Sequence, residues 1–374
     1  MSLLKPLVNP LIHSLGFLYE KASEVKNGLY DQNILSPVRL PVPVVSIGNL
    51  TVGGTGKTPL THFCLQWLSG RGIRCAVVSR NYGAEVREIA QVDVRHPEAA
   101  KYFGDEPVLL AHKNPGAVVF VGPRKYQTAP VAIERTRPEI VLVDDGFQHR
   151  KLARDLDIVI LDATEAWPNY RCVPEGRARE PWTSLQRADL IFISKVNLAG
   201  PGAVDRLLEN LKPFEKPVAQ FTFETGAHYD IHSLGLSGRS AVRNPGDDRA
   251  SPSEGAQPLP LTPLPPGTKV VLVSGIGRPL AFEKNLQPLG LNVVEHFRFQ
   301  DHYKYGVSDI AKIVQRAKAL GGLPIITTEK DAVKLLPLWP KETPLRVAPL
   351  EVRAVVGEET VYEILDQVIS QSHR

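Results

Sequence analysis

The chain has 374 residues, 43% hydrophobic and 22% charged, which is enough for two domains with buried cores. A net charge of +4 is too mild to argue for nucleic acid and suits a protein that rests on an anionic surface or handles phosphorylated substrates. Cys64, Cys75 and Cys172 are scattered and odd in number, which argues against a zinc ligand set and against a disulfide framework.

The N-terminal stretch carries Leu4, Val8, Leu11, Leu15, Leu18, Ala22 and Val25 at three- and four-residue steps, flanked by Lys5, Lys21 and Lys26. This spacing predicts an amphipathic helix over residues 1–30. The pattern fits a helix packed on its own domain and equally one lying on a membrane surface. No run reaches eighteen consecutive apolar residues, so no membrane-spanning helix is expected. The pattern of a cleaved signal peptide is also missing, and none is expected.

"PVVSIGN" then reads as a strand entering a glycine-rich loop, and "THFCLQWLSGRG" as the helix after it. "CAVVSR", "AVVFVG", "EIVLVDD", "LDIVILDA" and "DLIFIS" follow as short unbroken apolar runs. Such runs suit parallel strands buried on both faces, with crossover helices between them. The expected fold is α/β, with a doubly wound, mostly parallel sheet over residues 31–215. Residues 228–267 are rich in Pro, Gly and Ser and read as an insertion without a core of its own. "KVVLVSGIG", "NVVEHFRF" and "LPIITTEK" resume the pattern, giving a smaller α/β domain over residues 216–374.

The loop "GNLTVGGTGKTP" (48–59) has the chemistry of a phosphate cradle, because backbone N–H groups and a helix dipole converge there. Gly53, Gly54 and Gly56 let the backbone approach an anion without a Cβ clash, with Thr55 between them. Lys57 is placed for the β- and γ-phosphates, and the Thr58 hydroxyl for Mg²⁺. Thr51 stands where the general P-loop pattern has its first glycine. Downstream, "IVLVDDGFQHR" ends an apolar strand in Asp144 and Asp145, a position where a carboxylate holds the metal shell. Asp-Gly is also a turn signal, so either residue singly has a structural reading. The expected fold is therefore P-loop NTPase-like.

Together these stretches resemble the tetraacyldisaccharide 4′-kinase family, the lipid A 4′-kinases of Gram-negative bacteria. "GDEPVLLA" (104–111), "PEGRAREP" (174–181), "FRFQDHY" (297–303) and "TTEKDAVKL" (327–335) extend the likeness through residue 335. The resemblance implies transfer of the γ-phosphate of ATP, with Mg²⁺, to the 4′-hydroxyl of an acylated glucosamine disaccharide 1-phosphate. It implies peripheral attachment at the cytoplasmic face of the inner membrane, which favours the membrane reading of the N-terminal helix. No obligate protein partner is inferred.

By the same resemblance Asp105 is the base and His302 its partner. Asp144, Asp145 and Glu180 serve the metal and the transferred phosphate. Arg179, Gln148 and His149 take supporting roles. The chain departs from the family at Asn81, Glu175, Arg177 and Tyr303. "QFTFE" (220–224) and "RVAPLEV" (346–352) are candidate hinge strands. The alternative is a P-loop GTPase or ATPase switch acting through a protein partner. "FISKVN" (192–197) and "TEKD" (328–331) faintly resemble guanine-reading motifs, but "SKVN" lacks the terminal Asp.

Overall fold

The structure, a computed structural model, describes residues 5–234 and 259–371. Leu4 of the helical stripe and 235–258 of the predicted insertion lie outside the described residues, as do the side chains of Val8 and Leu11.

The first part of the chain folds as α1 (Lys5–Asp31), β1 (Val44–Asn49), α2 (Lys57–Gly70), β2 (Cys75–Arg80) and β3 (Ala90–Gln91). There follow α3 (Ala99–Phe103), α4 (Asp105–Lys113), β4 (Ala117–Gly122), α5 (Lys125–Thr136), β5 (Ile140–Asp144), β6 (Leu156–Asp162), β7 (Leu190–Ser194) and β8 (Val218–Thr225). The later strands are β9 (Tyr229–Asp230), β10 (Lys269–Ser274), β11 (Asn292–Arg298), β12 (Ile325–Thr328), β13 (Arg346–Ala348) and β14 (Leu350–Val356). Every strand read as an apolar run in the sequence is present.

The larger sheet has nine strands in the order β14-β8-β7-β6-β1-β5-β2-β4-β3, parallel except at its edges β14 and β3. β1 lies between β5 and β6, so chain direction across the sheet switches there. That is where open α/β sheets bind ligands, at the carboxyl ends of the strands. Successive side chains of β1 enter opposite cores. Val45 and Ile47 join Leu60, Cys64 and Leu68 of α2, whereas Val44 joins Ala129 and Ala132 of α5. Burial on both faces is what the unbroken apolar runs require. All three cysteines are free and buried.

The smaller sheet has the order β11-β10-β12-β13-β9, with only β9 antiparallel. Val271, Val273, Ile313, Ile325 and Leu335 fill its core. Of the two candidate hinge strands, 220–224 lies in β8 of the larger sheet, whereas 346–352 runs from β13 of the smaller sheet into β14 of the larger, which pairs antiparallel with β8. The helix Glu358–Gln371 also returns to the first core through Val361 and Leu365. The chain therefore crosses to the smaller sheet after β8 rather than at residue 215, and recrosses before β14. β8 and the last helix bury apolar side chains in the first core, through Ala219, Phe221, Phe223, Val361 and Leu365.

One contact fixes the site's floor. A Cβ on Gly48 would lie 2.6 Å from the Phe147 Cβ and 2.7 Å from its backbone nitrogen, so β1 and the loop after β5 meet with no room for a side chain. Gly48→Ala is expected to destabilise the fold by roughly 1–3 kcal/mol through overpacking, read by denaturant titration. A cost below about 0.5 kcal/mol would mean that the loop yields freely.

Candidate active site

The loop after β1 is held by side chains rather than by its own short turns. Asn49 Nδ2 donates to the Thr51 carbonyl at 2.6 Å and to Thr55 Oγ1 at 2.8 Å. Ser194 Oγ, at the end of β7, donates to the Thr55 carbonyl at 2.8 Å. Lys195 Nζ donates to the Gly54 carbonyl at 2.5 Å and to Asp162 Oδ2 at 2.6 Å. Gly56 caps α2 with φ of 93°, and a Cβ there would meet the Phe223 ring at 2.5 Å, so only glycine fits. Gly53 has φ of 113°. Lys57 and Thr58 open α2, and the Lys57 ammonium lies 3.4 Å from Asn49 Oδ1 and 3.7 Å from Asp145 Oδ1. The Thr51 hydroxyl is buried and has no hydrogen-bond partner among the described residues.

Asp144 and Asp145 are neighbours in opposite electrostatic states. Asp144 is buried, and Ser79 Oγ donates to its Oδ2 at 3.0 Å. Its Oδ1 is buried without a partner among the described residues. Burial and the charge of Glu106 push its pKa up to about 6. Asp145 adopts φ of 54° and receives a two-pronged pair from Arg179 at 2.7 and 2.9 Å. Burial raises its pKa, but Arg179 and Lys57 outweigh that and hold it well below the usual carboxylate range.

Behind both sits Lys125, which the sequence reading did not single out. Its buried ammonium donates to the carbonyls of Asp144 and Asp145. Burial pulls its pKa down to about 8. Gln148 Nε2 donates to the Asn49 carbonyl at 2.9 Å, and burial holds His149 to about 3, so it is neutral at ordinary pH.

Glu180 is placed differently from its neighbour Arg179. Its Oε2 accepts from Asn27 of α1 at 3.1 Å and from Arg187 at 2.8 Å. Its carboxylate is therefore already engaged by a cation and by the N-terminal helix. Among the described residues no group of three or more His, Cys, Asp and Glu side chains could hold a metal. The unpartnered Asp144 Oδ1 and a Thr58 hydroxyl fit a hard cation such as Mg²⁺, which takes few protein ligands and completes its shell with phosphate and water.

The second cluster joins the two sheets. Asp105 opens α4, and both its oxygens lie 3.0 Å from His302 Nδ1, from a residue 197 positions away. Lys330 and Lys334 approach the same carboxylate at 4.0 and 3.9 Å, and Lys330 also pairs with Glu106 at 2.9 Å. Burial raises the Asp105 pKa, yet His302 and the two lysines pull it to about 2. The hydrogen bond to Asp105 raises His302 above 6.5 despite burial. With the imidazole neutral and Nδ1–H on Asp105, Nε2 is the acceptor nitrogen, and it faces Lys330 Nζ at 3.4 Å.

An anion cradle at a helix start, an acidic strand end and a carboxylate–imidazole pair are groups that can seat a phosphate, hold a cation and accept a proton. These are the parts of a P-loop phosphotransferase. The family model described as tetraacyldisaccharide-1-P 4′-kinase (LpxK) matches residues 8–370, and the chain belongs to that family. A tetraacyldisaccharide 4′-kinase of Bdellovibrio bacteriovorus is 42% identical over 96% of this chain and 98% of its own length. One from an Anaeromyxobacter species is 35% identical over 98% of this chain and 92% of its own. Among solved structures, LpxK from Aquifex aeolicus, crystallised in complex with ATP, superposes with a TM-score of 0.71 at 26% identity, covering 97% of this chain and 99% of that one.

The imidazole of His302 is expected to titrate above pH 6.5 by NMR, since its cationic form is favoured by Asp105. In Asp105→Asn the burial and the Lys330 charge remain, so the midpoint is expected to fall to 6.5 or below. An unchanged midpoint would remove Asp105 as its cause.

Proposed function

We propose that this protein transfers the γ-phosphate of ATP to the 4′-hydroxyl of tetraacyldisaccharide 1-phosphate. The observation that carries the reading is the meeting of Asp105 and His302, from separate sheets, in a chain of this family. ATP seats its phosphates on Gly53–Thr58, with Thr51 and Thr55 shaping the loop. Lys57 offsets charge on the β- and γ-oxygens as it grows in the transition state. Thr58 and Asp144 hold Mg²⁺, with Asp145 beside them. The ion, when bound, neutralises phosphate charge and fixes the in-line geometry. Arg179 locks Asp145, and Glu180 supports that arrangement through Arg187 and α1. The acceptor hydroxyl gives its proton to the Asp105–His302 pair.

The alternative of a guanine-reading switch loses its residues to other contacts. The Asn197 amide is closed on the backbone of Phe223 at 2.9 Å in both directions. Lys330 and Asp331 of "TEKD" face Glu106 and Gly275.

The test is phosphoryl transfer from ATP, against GTP, to tetraacyldisaccharide 1-phosphate in detergent micelles. Lys57→Ala is expected to abolish transfer with an unchanged melting temperature. Asp105→Ala is expected to lower kcat by roughly 10²–10⁴-fold with little change in the KM for ATP. Near-normal turnover in Asp105→Ala would remove it as the base.

The acceptor's acyl chains also require a lipid surface. Phe17, Leu18 and Val25 of α1 are 62%, 65% and 65% exposed, on the side away from Gly16 and Asn27, which are buried against the body. Among the described residues no helix is long and apolar enough to cross a membrane. A helix lying on the surface of the inner membrane fits this exposure. The double variant Phe17→Glu, Leu18→Glu is expected to lose most of its co-sedimentation with anionic phospholipid vesicles. Retained binding would argue against α1 as the contact.

A further inference from the structure

Arg278 lies in the loop after β10, on the smaller sheet, yet its partners lie on the larger one. Its Nη1 donates to Asp162 Oδ2 at 3.1 Å and to Thr164 Oγ1 at 2.8 Å, and its Nη2 to Glu165 Oε2. Asp162 is fully buried at the end of β6 and binds only two cations among its ion pairs in the described residues, Lys195 and Arg278. Lys195 carries the contact onward to the Gly54 carbonyl, on one flank of the phosphate loop. Glu165 carries it to the other flank. It lies 3.7 Å from Arg177, whose Nη2 donates to the Val52 carbonyl at 2.8 Å.

The same short segment also reaches the base. The Gly275 N–H donates to Asp331 Oδ2 at 3.0 Å, Asp331 pairs with Lys334 at 2.8 Å, and Lys334 approaches Asp105 at 3.9 Å. A Cβ on Gly277 would come within 3.1 Å of Asp301, the neighbour of His302. Residues 274–278 thus connect the phosphate loop to the Asp105–His302 pair through charged and hydrogen-bonded side chains.

We infer that Arg278 is a positioning residue by which the smaller domain braces both flanks of the phosphate loop, through Asp162–Lys195 and through Glu165–Arg177. This deepens the proposed kinase reading and rests on it for its consequence in turnover, though the bracing itself does not. A guanidinium suits the task because its planar fork reaches two carboxylates and a hydroxyl at once, which a lysine cannot reproduce. When the domains separate the brace is lost, leaving Asp162 with Lys195 alone and the Gly54 and Val52 carbonyls less firmly held. The loop is then set for phosphate when the base is also in place, and water is not offered a phosphoryl group in the open form.

Hydrogen exchange in the ligand-free protein tests the brace without assuming any activity. Peptides spanning residues 50–57 are compared in wild type, Arg278→Ala, Arg278→Lys and the control Leu280→Ala, an exposed position two residues further on. Arg278→Ala is expected to speed exchange there by about tenfold, with partial recovery in Arg278→Lys and none of the change in Leu280→Ala. Wild-type exchange in Arg278→Ala overturns the inference. Should that variant fold poorly, Glu165→Gln removes one arm only and is expected to raise exchange at Val52 more than at Gly54; an equal or absent effect overturns it. Calorimetry with ATP and steady-state kinetics form a separate arm. Here Arg278→Ala is expected to weaken ATP about tenfold while the KM for the acceptor moves less. A wild type that binds no ATP would sink the kinase reading and leave the exchange result standing.

Discussion

Two carboxylates in succession, Asp144 buried and Asp145 partly buried, cannot both be ionised without cations on several sides. Much of the site's architecture answers that constraint. Lys125 sits beneath them with its ammonium on their carbonyls and fixes the left-handed turn at Asp145. Arg179 and Lys57 neutralise Asp145 from the front. Asp144 keeps one oxygen without a partner among the described residues and a raised pKa. One strand end therefore supplies an anchored negative charge and an available one.

The phosphate loop follows the same logic of outside support. Its glycines allow close approach of an anion, but they also make the backbone entropically loose. Asn49, Ser194 and Lys195, at or just beyond the ends of two strands, hold its carbonyls in place. The parallel sheet is what puts those ends side by side. The smaller sheet contributes His302, Lys330 and Lys334 around Asp105. The Asp105–His302 pair thus spans two bodies, with Asp105 on the one that carries the phosphate loop and His302 on the other.

The parallel core was legible because burial on both faces leaves a pattern in the sequence that needs no partner to interpret. Strands β2 and β4–β7 are read that way, β1 from the glycine loop it enters, and β10–β12 from the resumed α/β pattern. The phosphate loop was legible because its glycines and lysine are contiguous. The Asp105–His302 pairing was not, since nothing in a linear pattern connects residues 197 positions apart, and only the family resemblance suggested it. Lys125 was missed although a basic residue following the end of β4 was visible. Asp162 was missed although β6 ends in acid just as β5 does, and the same rule applied to both would have found it. The charged pair Arg179 and Glu180 stands out in the sequence, but sequence cannot say that the two carry different contacts. The face of α1 was readable from periodicity. Whether it turned inward was decided by Gly16 and Asn27, which occupy the buried side instead.

Residues 175–180 are shared between α1 and the phosphate loop. On one side His13 reaches Glu175, Tyr19 reaches the Arg179 carbonyl and Asn27 reaches Glu180. On the other, Val52 N–H bonds the Arg177 carbonyl, and Arg179 N–H the Leu50 carbonyl. The N-terminal helix is thus not a detachable anchor. A shortened protein prepared for better solubility would lose the underside of Arg179, and poor turnover in it would say little about membranes. The same layering offers inhibitor chemists a second entrance. A compound wedged beneath α1 would disturb the acid loop from behind, without competing with cellular ATP for the front.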